Sequence, residues 1–204
     1  MTRIKICGLR RKEDIAYVNE AKPDYAGFVF AKSRRQVTKE EAKELRKLLH
    51  PDIIPVGVFV NEEISVVAEL VREGIIDIVQ LHGDESEAYI QKLRELVDPI
   101  TIIKAVRVAS EKDLESCNLF SANYFLFDTF SFKEYGGTGR IFDWTLIKDI
   151  EKPFFLAGGI NSQNVKVAID ILNPFAVDVS SAVETDGWKN REKIEMLVQT
   201  VREN

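Results

Sequence analysis

Hydrophobic residues along this 204-residue chain follow two alternating rhythms. Short runs of apolar and β-branched residues fall at 4–7, 25–30, 55–60, 77–81, 101–105, 124–127, 154–157 and 176–179. They are apolar at successive positions, not at every second one, as expected of strands buried on both faces of a parallel sheet. Between them the period changes to that of a helix. Residues 39–49 place Ala42, Leu45, Leu48 and Leu49 on one stripe, and residues 61–71 do the same with Ile64, Val67, Ala68 and Val71. Tyr89, Ile90, Leu93 and Val97 form a third stripe within 86–97, and Ile194, Leu197, Val198 and Val201 a fourth within 191–201. Thr38 followed by Glu41 reads as a capping box. Strand starts recur about every 20 to 30 residues, the length of one strand plus a crossover helix.

Eight such units predict an α/β fold, a single (βα)8 TIM barrel spanning residues 1–204, with an open doubly wound sheet as the competing layout. The last two units favour closure. Residues 154–161 and 175–181 each read as a short strand stopping abruptly in residues with little or no side chain: Gly158 and Gly159 in one, Ser180 and Ser181 in the other. Bare backbone lets N–H groups approach an anion, and a helix just behind would add its positive dipole end. In closed barrels a phosphate site is commonly built from the loops after strands seven and eight.

Composition narrows the function classes. Apolar residues make up 45% of the chain and aromatic residues 9%, enough for a buried core, which sets disorder aside. Charged residues reach 30% with a net charge of −5, so the surface does not attract nucleic acid or an anionic membrane, and an anionic substrate must be held by a local site. Met1 leads directly into residues 3–6 with no apolar leader, and no segment approaches the roughly 18 apolar residues of a spanning helix, so a cytoplasmic location is expected. Cys7 and Cys117 are too few and too far apart for a disulfide framework or metal knuckle, and His50 lies in a helix-to-strand connection away from His82. No metal and no cofactor are expected. Monomer and homodimer both stay open.

Closure would bring the strand ends to one mouth. The first strand delivers Cys7 and Gly8, the second leads into Lys32-Ser33-Arg34-Arg35, and the third ends near Asn61. The fourth offers Gln80 and His82, the sixth Asp128, the seventh Gly158 and Gly159, and the eighth Asp178, Ser180 and Ser181. Residues 129–143, with Gly136, Gly137 and Gly139, form the longest irregular stretch and read as a lid or binding loop. Each candidate has a plainer reading. A free cysteine is often a small core hydrophobe, an aspartate after a strand a turn cap, and Arg34 and Arg35 a solvated pair. His82 also reads as a structural hydrogen-bond partner, and Cys117, Trp144 and Trp188 as packing residues.

Residues 5–8, 27–30 followed by 32–35, 56–61, 79–83, 127–129, 136–144 and 176–181 together resemble the phosphoribosylanthranilate isomerase family of tryptophan biosynthesis, in the family's order and over nearly the whole chain. The resemblance implies an Amadori rearrangement of N-(5-phosphoribosyl)anthranilate, an aminoaldose, to 1-(2-carboxyphenylamino)-1-deoxyribulose 5-phosphate, an aminoketose. One acid must protonate the furanose ring oxygen, and one base must then take the C2 proton. The family's positions for these fall on Asp128 and Cys7. A thiol titrates near 8.5 unperturbed, so a modest electropositive bias makes it a usable base. Asp128 follows Phe125-Leu126-Phe127, and an apolar surround is expected to raise its pKa. The resemblance further implies that Arg35 holds the anthranilate carboxylate, that Asp178 orients substrate hydroxyls and that His82 touches substrate. Gly137, Gly158, Gly159, Ser180 and Ser181 are the implied phosphate site. The chain departs from the family in a segment after Phe30 that is one residue short and lacks a proline, which leaves Arg34 and Arg35 both in play. Ala182 replaces a usual glycine, and Asp186 a usual proline. Rival readings are the barrel isomerase of histidine biosynthesis, which has aspartate where Cys7 stands, and a non-catalytic sensor of a phosphorylated metabolite.

Overall fold

The eight apolar runs pair side by side, all parallel and in chain order: β1 (Arg3–Cys7), β2 (Tyr25–Val29), β3 (Ile54–Phe59), β4 (Ile78–Leu81), β5 (Thr101–Arg107), β6 (Tyr124–Asp128), β7 (Phe154–Ala157) and β8 (Ala176–Val179). β8 returns to pair with β1, so the sheet closes into a barrel and the doubly wound alternative falls away. The structure, a computed structural model, describes residues 1–108, 113–114, 116–128, 147 and 152–203.

Six α-helices among the described residues cover the barrel: α1 (Lys12–Ala21), α2 (Lys39–Leu48), α3 (Ile64–Arg72), α4 (Glu87–Leu96), α5 (Val165–Leu172) and α6 (Arg191–Arg202). Three of them, α2, α4 and α6, start at an N-cap side chain that accepts from a free N–H group of the first turn. Thr38 Oγ1 accepts from the Glu41 N–H while Glu41 Oε2 accepts from the Thr38 N–H, the capping box expected from the sequence. Ser86 and Asn190 cap α4 and α6 in the same way, without the reciprocal half. α1 and α5 end on Lys22 and Asn173 in the left-handed region.

The helices depart in places from the hydrophobic pattern. α3 starts at Ile64, because Asn61 takes a φ of +51° and Glu63 is extended. Leu48 is 47% exposed. At 100° per residue it lies well off the stripe of Ala42, Leu45 and Leu49, which are buried. No helix among the described residues is long and apolar enough to cross a membrane.

Strand alternation divides the core in two. Ile4, Ile6, Phe28, Phe59, Phe125, Phe127, Leu156 and Val177 point outward and pack with the helix stripes. Tyr25, Val56, Ile103, Leu126, Phe155 and Ala176 point inward and fill the lumen. Phe155 meets the Tyr25 and Tyr124 rings at centroid distances of 5.4 and 5.6 Å, which plugs the amino-terminal half. Nearer the carboxyl ends, the inward positions change to Cys7, Gln80, Asp128 and Asp178, and the lumen opens into a cavity.

One buried carboxylate ties the loops on that face together. Glu85 accepts from the Asn61 N–H at 2.8 Å and the Gly83 N–H at 3.0 Å, and pairs with Lys104 Nζ at 2.9 Å. Lys104 also donates to the Gly83 carbonyl at 2.6 Å. Glu85→Ala strands the Lys104 ammonium in the interior and is expected to cost about 3–5 kcal/mol. The combined Glu85→Gln/Lys104→Met change is expected to cost less, as read from urea unfolding of both variants.

Candidate active site

The cavity at the carboxyl ends of the strands has a volume of about 420 Å³. Its wall includes Cys7, Arg35, His82, Asp128, Gly158, Gly159, Asp178, Ser180 and Ser181, the described residues to which a catalytic, substrate or phosphate role was assigned, whereas Gly8, Arg34 and Asn61 of the strand-end set do not line it. Gly137 and Trp144 lie outside the described residues, as does the whole of the 129–143 stretch. Cys117 is buried in a short 3₁₀ turn, with its thiol pushed up to about 11 by burial, in keeping with the packing role.

Cys7 ends β1 beside Gly27 of β2, and a Cβ at Gly27 would stand only 2.7 Å from the Cys7 Sγ. The bare residue makes room for the sulfur. Lys5, two residues earlier on the same face of β1, is fully buried and its Nζ bonds Asp178 Oδ1 at 3.0 Å. Burial pushes the Cys7 thiol up and Asp178 adds to the rise, while Lys5 and Lys189 pull it down. For Lys5, burial acts to lower the pKa, but Asp178 and the Cys7 sulfur outweigh it and leave the ammonium above the usual lysine range.

Across the mouth, His82 Nε2 lies 3.5 Å from Asp128 Oδ2. Gln80, buried on the inward face of β4, sets its Nε2 2.9 Å from His82 Nδ1. With the amide nitrogen toward the ring, Nδ1 accepts and the Nε2–H turns to Asp128. Gln80 Oε1 is buried without a hydrogen-bond partner among the described residues. The apolar surround expected for Asp128 is not what the fold supplies. Phe125 and Phe127 face the helices, whereas the Asp128 side chain enters the polar mouth and is 24% exposed. Neighbours in sequence alternate sides of a strand, so an apolar run does not enclose the residue that ends it.

The loop after β8 forms a hairpin of β9 (Glu184–Thr185) and β10 (Trp188–Lys189). Its turn residues Asp186 and Gly187 have φ of +51° and +80°, the paired positive angles that a two-residue Asp-Gly turn provides. Glu184 is the anchor. Arg35 grips it through two nitrogens at 2.6 and 2.9 Å, Arg34 at 2.9 Å and Lys189 at 2.8 Å. Burial acts to raise the Glu184 pKa, but the hydrogen bonds from Arg35 and Lys189 prevail and hold it at about 2. Arg35 is 20% exposed and lines the cavity, whereas Arg34 is 58% exposed and does not line it. This separates the two arginines that the sequence left in play. Trp188 is 42% exposed and carries the Arg10 and Arg11 guanidiniums at 3.8 and 4.4 Å from its ring, a platform and not a core residue.

The glycine pair after β7 has φ of +82° and +74°, a conformation that L side chains resist. The helix expected just behind it begins only at Val165, because Asn161 Oδ1 accepts from the Gln163 and Asn164 N–H groups and forms a turn first. After β8 comes a 3₁₀ turn, Ser181–Val183, and the Ser180 hydroxyl donates to the Cys7 carbonyl at 2.9 Å. Sequence reasoning passed over Lys5, Glu184 and the Gln80 contact to His82. The only cue for them was a charged or amide residue within or beside a short apolar strand.

A closed parallel barrel with a thiol, a carboxyl and a guanidinium converging on one cavity at its carboxyl face defines a (βα)8-barrel enzyme. The sequence model of N-(5'phosphoribosyl)anthranilate (PRA) isomerase matches residues 4–200. The chain is 52% identical over 211 residues to N-(5'-phosphoribosyl)anthranilate isomerase of Acetivibrio thermocellus, covering 100% of this chain and 97% of that one. It is 48% identical over 204 residues to the protein of the same name from Thermoanaerobacter sp. (strain X514), covering 99% and 98%. Among solved structures, phosphoribosyl anthranilate isomerase from Thermotoga maritima superposes with a TM-score of 0.88 at 40% identity, covering all of both chains. A structure of the enzyme in complex with reduced 1-(O-carboxyphenylamino)-1-deoxyribulose 5-phosphate gives 0.86 at 38%, again covering all of both chains. The chain belongs to the phosphoribosylanthranilate isomerase family and is an isomerase of tryptophan biosynthesis.

The depressed Glu184 carboxyl gives this face a pH signature. A group held at about 2 against an ordinary 4.5 stabilises the fold above the higher value and loses that contribution as the pH falls through the lower. The stability gap between the native protein and Glu184→Gln is therefore expected to be widest above pH 4.5 and to close toward pH 2, measured as urea midpoints across that range.

Proposed function

We propose that this chain converts N-(5-phosphoribosyl)anthranilate to 1-(2-carboxyphenylamino)-1-deoxyribulose 5-phosphate, with Asp128 as general acid and Cys7 as general base. The observation that carries the reading is that these two groups, from strands well separated around the ring, line one cavity together with Arg35 and the glycine pair. The ligand held by the solved relative carries a carboxylate and a phosphate. Arg35 suits the first, as a planar fork for a planar anion. The backbone at Gly158, Gly159, Ser180 and Ser181 suits the second, because no Cβ at the glycines keeps the anion away.

Asp128 gives its proton to the ring oxygen, the C1–O bond breaks, and nitrogen supplies the electrons to form a protonated Schiff base. Cys7 then removes the C2 proton, and those electrons form the C1–C2 double bond of an enolamine as the iminium is neutralised. Protonation at C1 with loss of the C2 hydroxyl proton yields the ketone. Asp178, beside Cys7 on the wall, orients the sugar hydroxyls, and His82 orients the acid.

The test is to mix the protein with freshly made phosphoribosylanthranilate and follow the loss of its fluorescence. Cys7→Ala and Asp128→Asn are each expected to lower kcat by about 10²–10⁴-fold while keeping product affinity. Folded native protein that leaves the fluorescence unchanged overturns the assignment.

A further inference from the structure

Lys5 has no exposed surface, yet it stands in a lumen whose lower half is apolar. Buried ammonium groups persist when paired, and an apolar pair fills such space equally well, so packing alone does not account for a lysine here. The strand register accounts for its partner: Lys5 of β1 lies opposite Asp178 of β8, with Nζ and Oδ1 3.0 Å apart. Cys7 projects from the same face of β1 two residues further on, which sets the ammonium and the sulfur side by side along the strand, where each acts on the charge of the other. The other charges that face the sulfur are more remote in effect. Lys189 of β10 acts on it through charge alone and is tied to Glu184, as is Arg35 from the loop after β2. β2 brings the uncharged Gly27 against the sulfur.

We propose that Lys5 is a positioning residue for the thiol: its ammonium, held by Asp178, is the counter-charge against which the Cys7 sulfur releases its proton and becomes the base. This rests on the assignment of Cys7 as general base. The thiol proton leaves to solvent, Lys5 keeps its own, and the thiolate then takes the C2 proton of the Schiff base to return to a neutral thiol. Asp178 and Lys5 act on the sulfur with opposite sign, so removing each must move the thiol in opposite directions.

The experiment titrates the thiolate absorbance of the free protein in a Cys117→Ser background, with Cys7→Ser as the blank. Lys5→Met is expected to move the thiol titration upward by about one pH unit or more. The rising limb of kcat/KM with pH should move with it, and kcat at pH 7 should fall more than product affinity. Asp178→Asn is expected to move the thiol titration downward, which loosened packing does not explain and which is readable even if Lys5→Met does not fold. A thiol that titrates at its native position in Lys5→Met, or rises in Asp178→Asn, overturns the inference. So does a rate limb that stays in place while the thiol moves. Turnover surviving in Cys7→Ala overturns the assignment of the base instead, and the titration of the free protein reads the Lys5 coupling independently of that result.

Discussion

When β8 pairs with β1, Lys5 meets Asp178 and Ile6 meets Val179, and that one register decides what stands at the mouth. A shift by a single residue would turn Lys5 and Cys7 out toward the helices and bring Ile4 and Ile6 into the lumen, because side chains alternate strictly along a strand. The apolar plug of Tyr25, Phe155 and Leu126 opposes such a slip, since it fills the lower lumen only in the observed register. The same closure therefore seals one end of the barrel and opens the other. The cavity is the part of the lumen where small and polar side chains replace rings.

Besides the His82–Asp128 contact, three groups of ion pairs manage charge around that mouth. Lys5 and Asp178 balance inside the barrel, Glu85 and Lys104 balance beneath the loops after β3 and β4, and Glu184 gathers Arg34, Arg35 and Lys189 on the rim. Only the last group holds more cations than carboxylates. A chain with a net charge of −5 thus presents local positive charge on the cavity that the glycine pair and the Ser-Ser turn also line, the phosphate site proposed above. The hairpin turn at Asp186 and Gly187 sets Lys189 opposite Glu184, and the cation–π stack of Arg10 and Arg11 on Trp188 braces it from outside. Arg35 is preorganised by the carboxylate it already grips, so little ordering is left for a ligand to impose.

Much of this was legible beforehand. The seventh and eighth strands span the same residues that hydrophobic runs marked, and α6 buries the four residues of its stripe, because periodicity reports burial directly. Cys7, Arg35, His82, Asp128 and Asp178 were nominated as strand-end residues and share one cavity. The apolar neighbours of Asp128 misled, since adjacency along a strand is opposition across it. The helix behind Gly159 also started late, because the Asn161 side chain took the first N–H groups for a turn.

The chain by itself determined the alternation of strands and helices, their caps, the parallel class of the sheet and the residue types delivered at each strand end. All of these depend on contacts within a few residues or on burial read position by position. Only the tertiary structure decided that Lys5 meets Asp178 across 173 residues of chain, that Glu184 draws Arg35 from 149 residues away, and that Arg34 shares that carboxylate without lining the cavity. Those outcomes depend on closure and on which charges must be neutralised once buried, and no local pattern encodes a partner that distant.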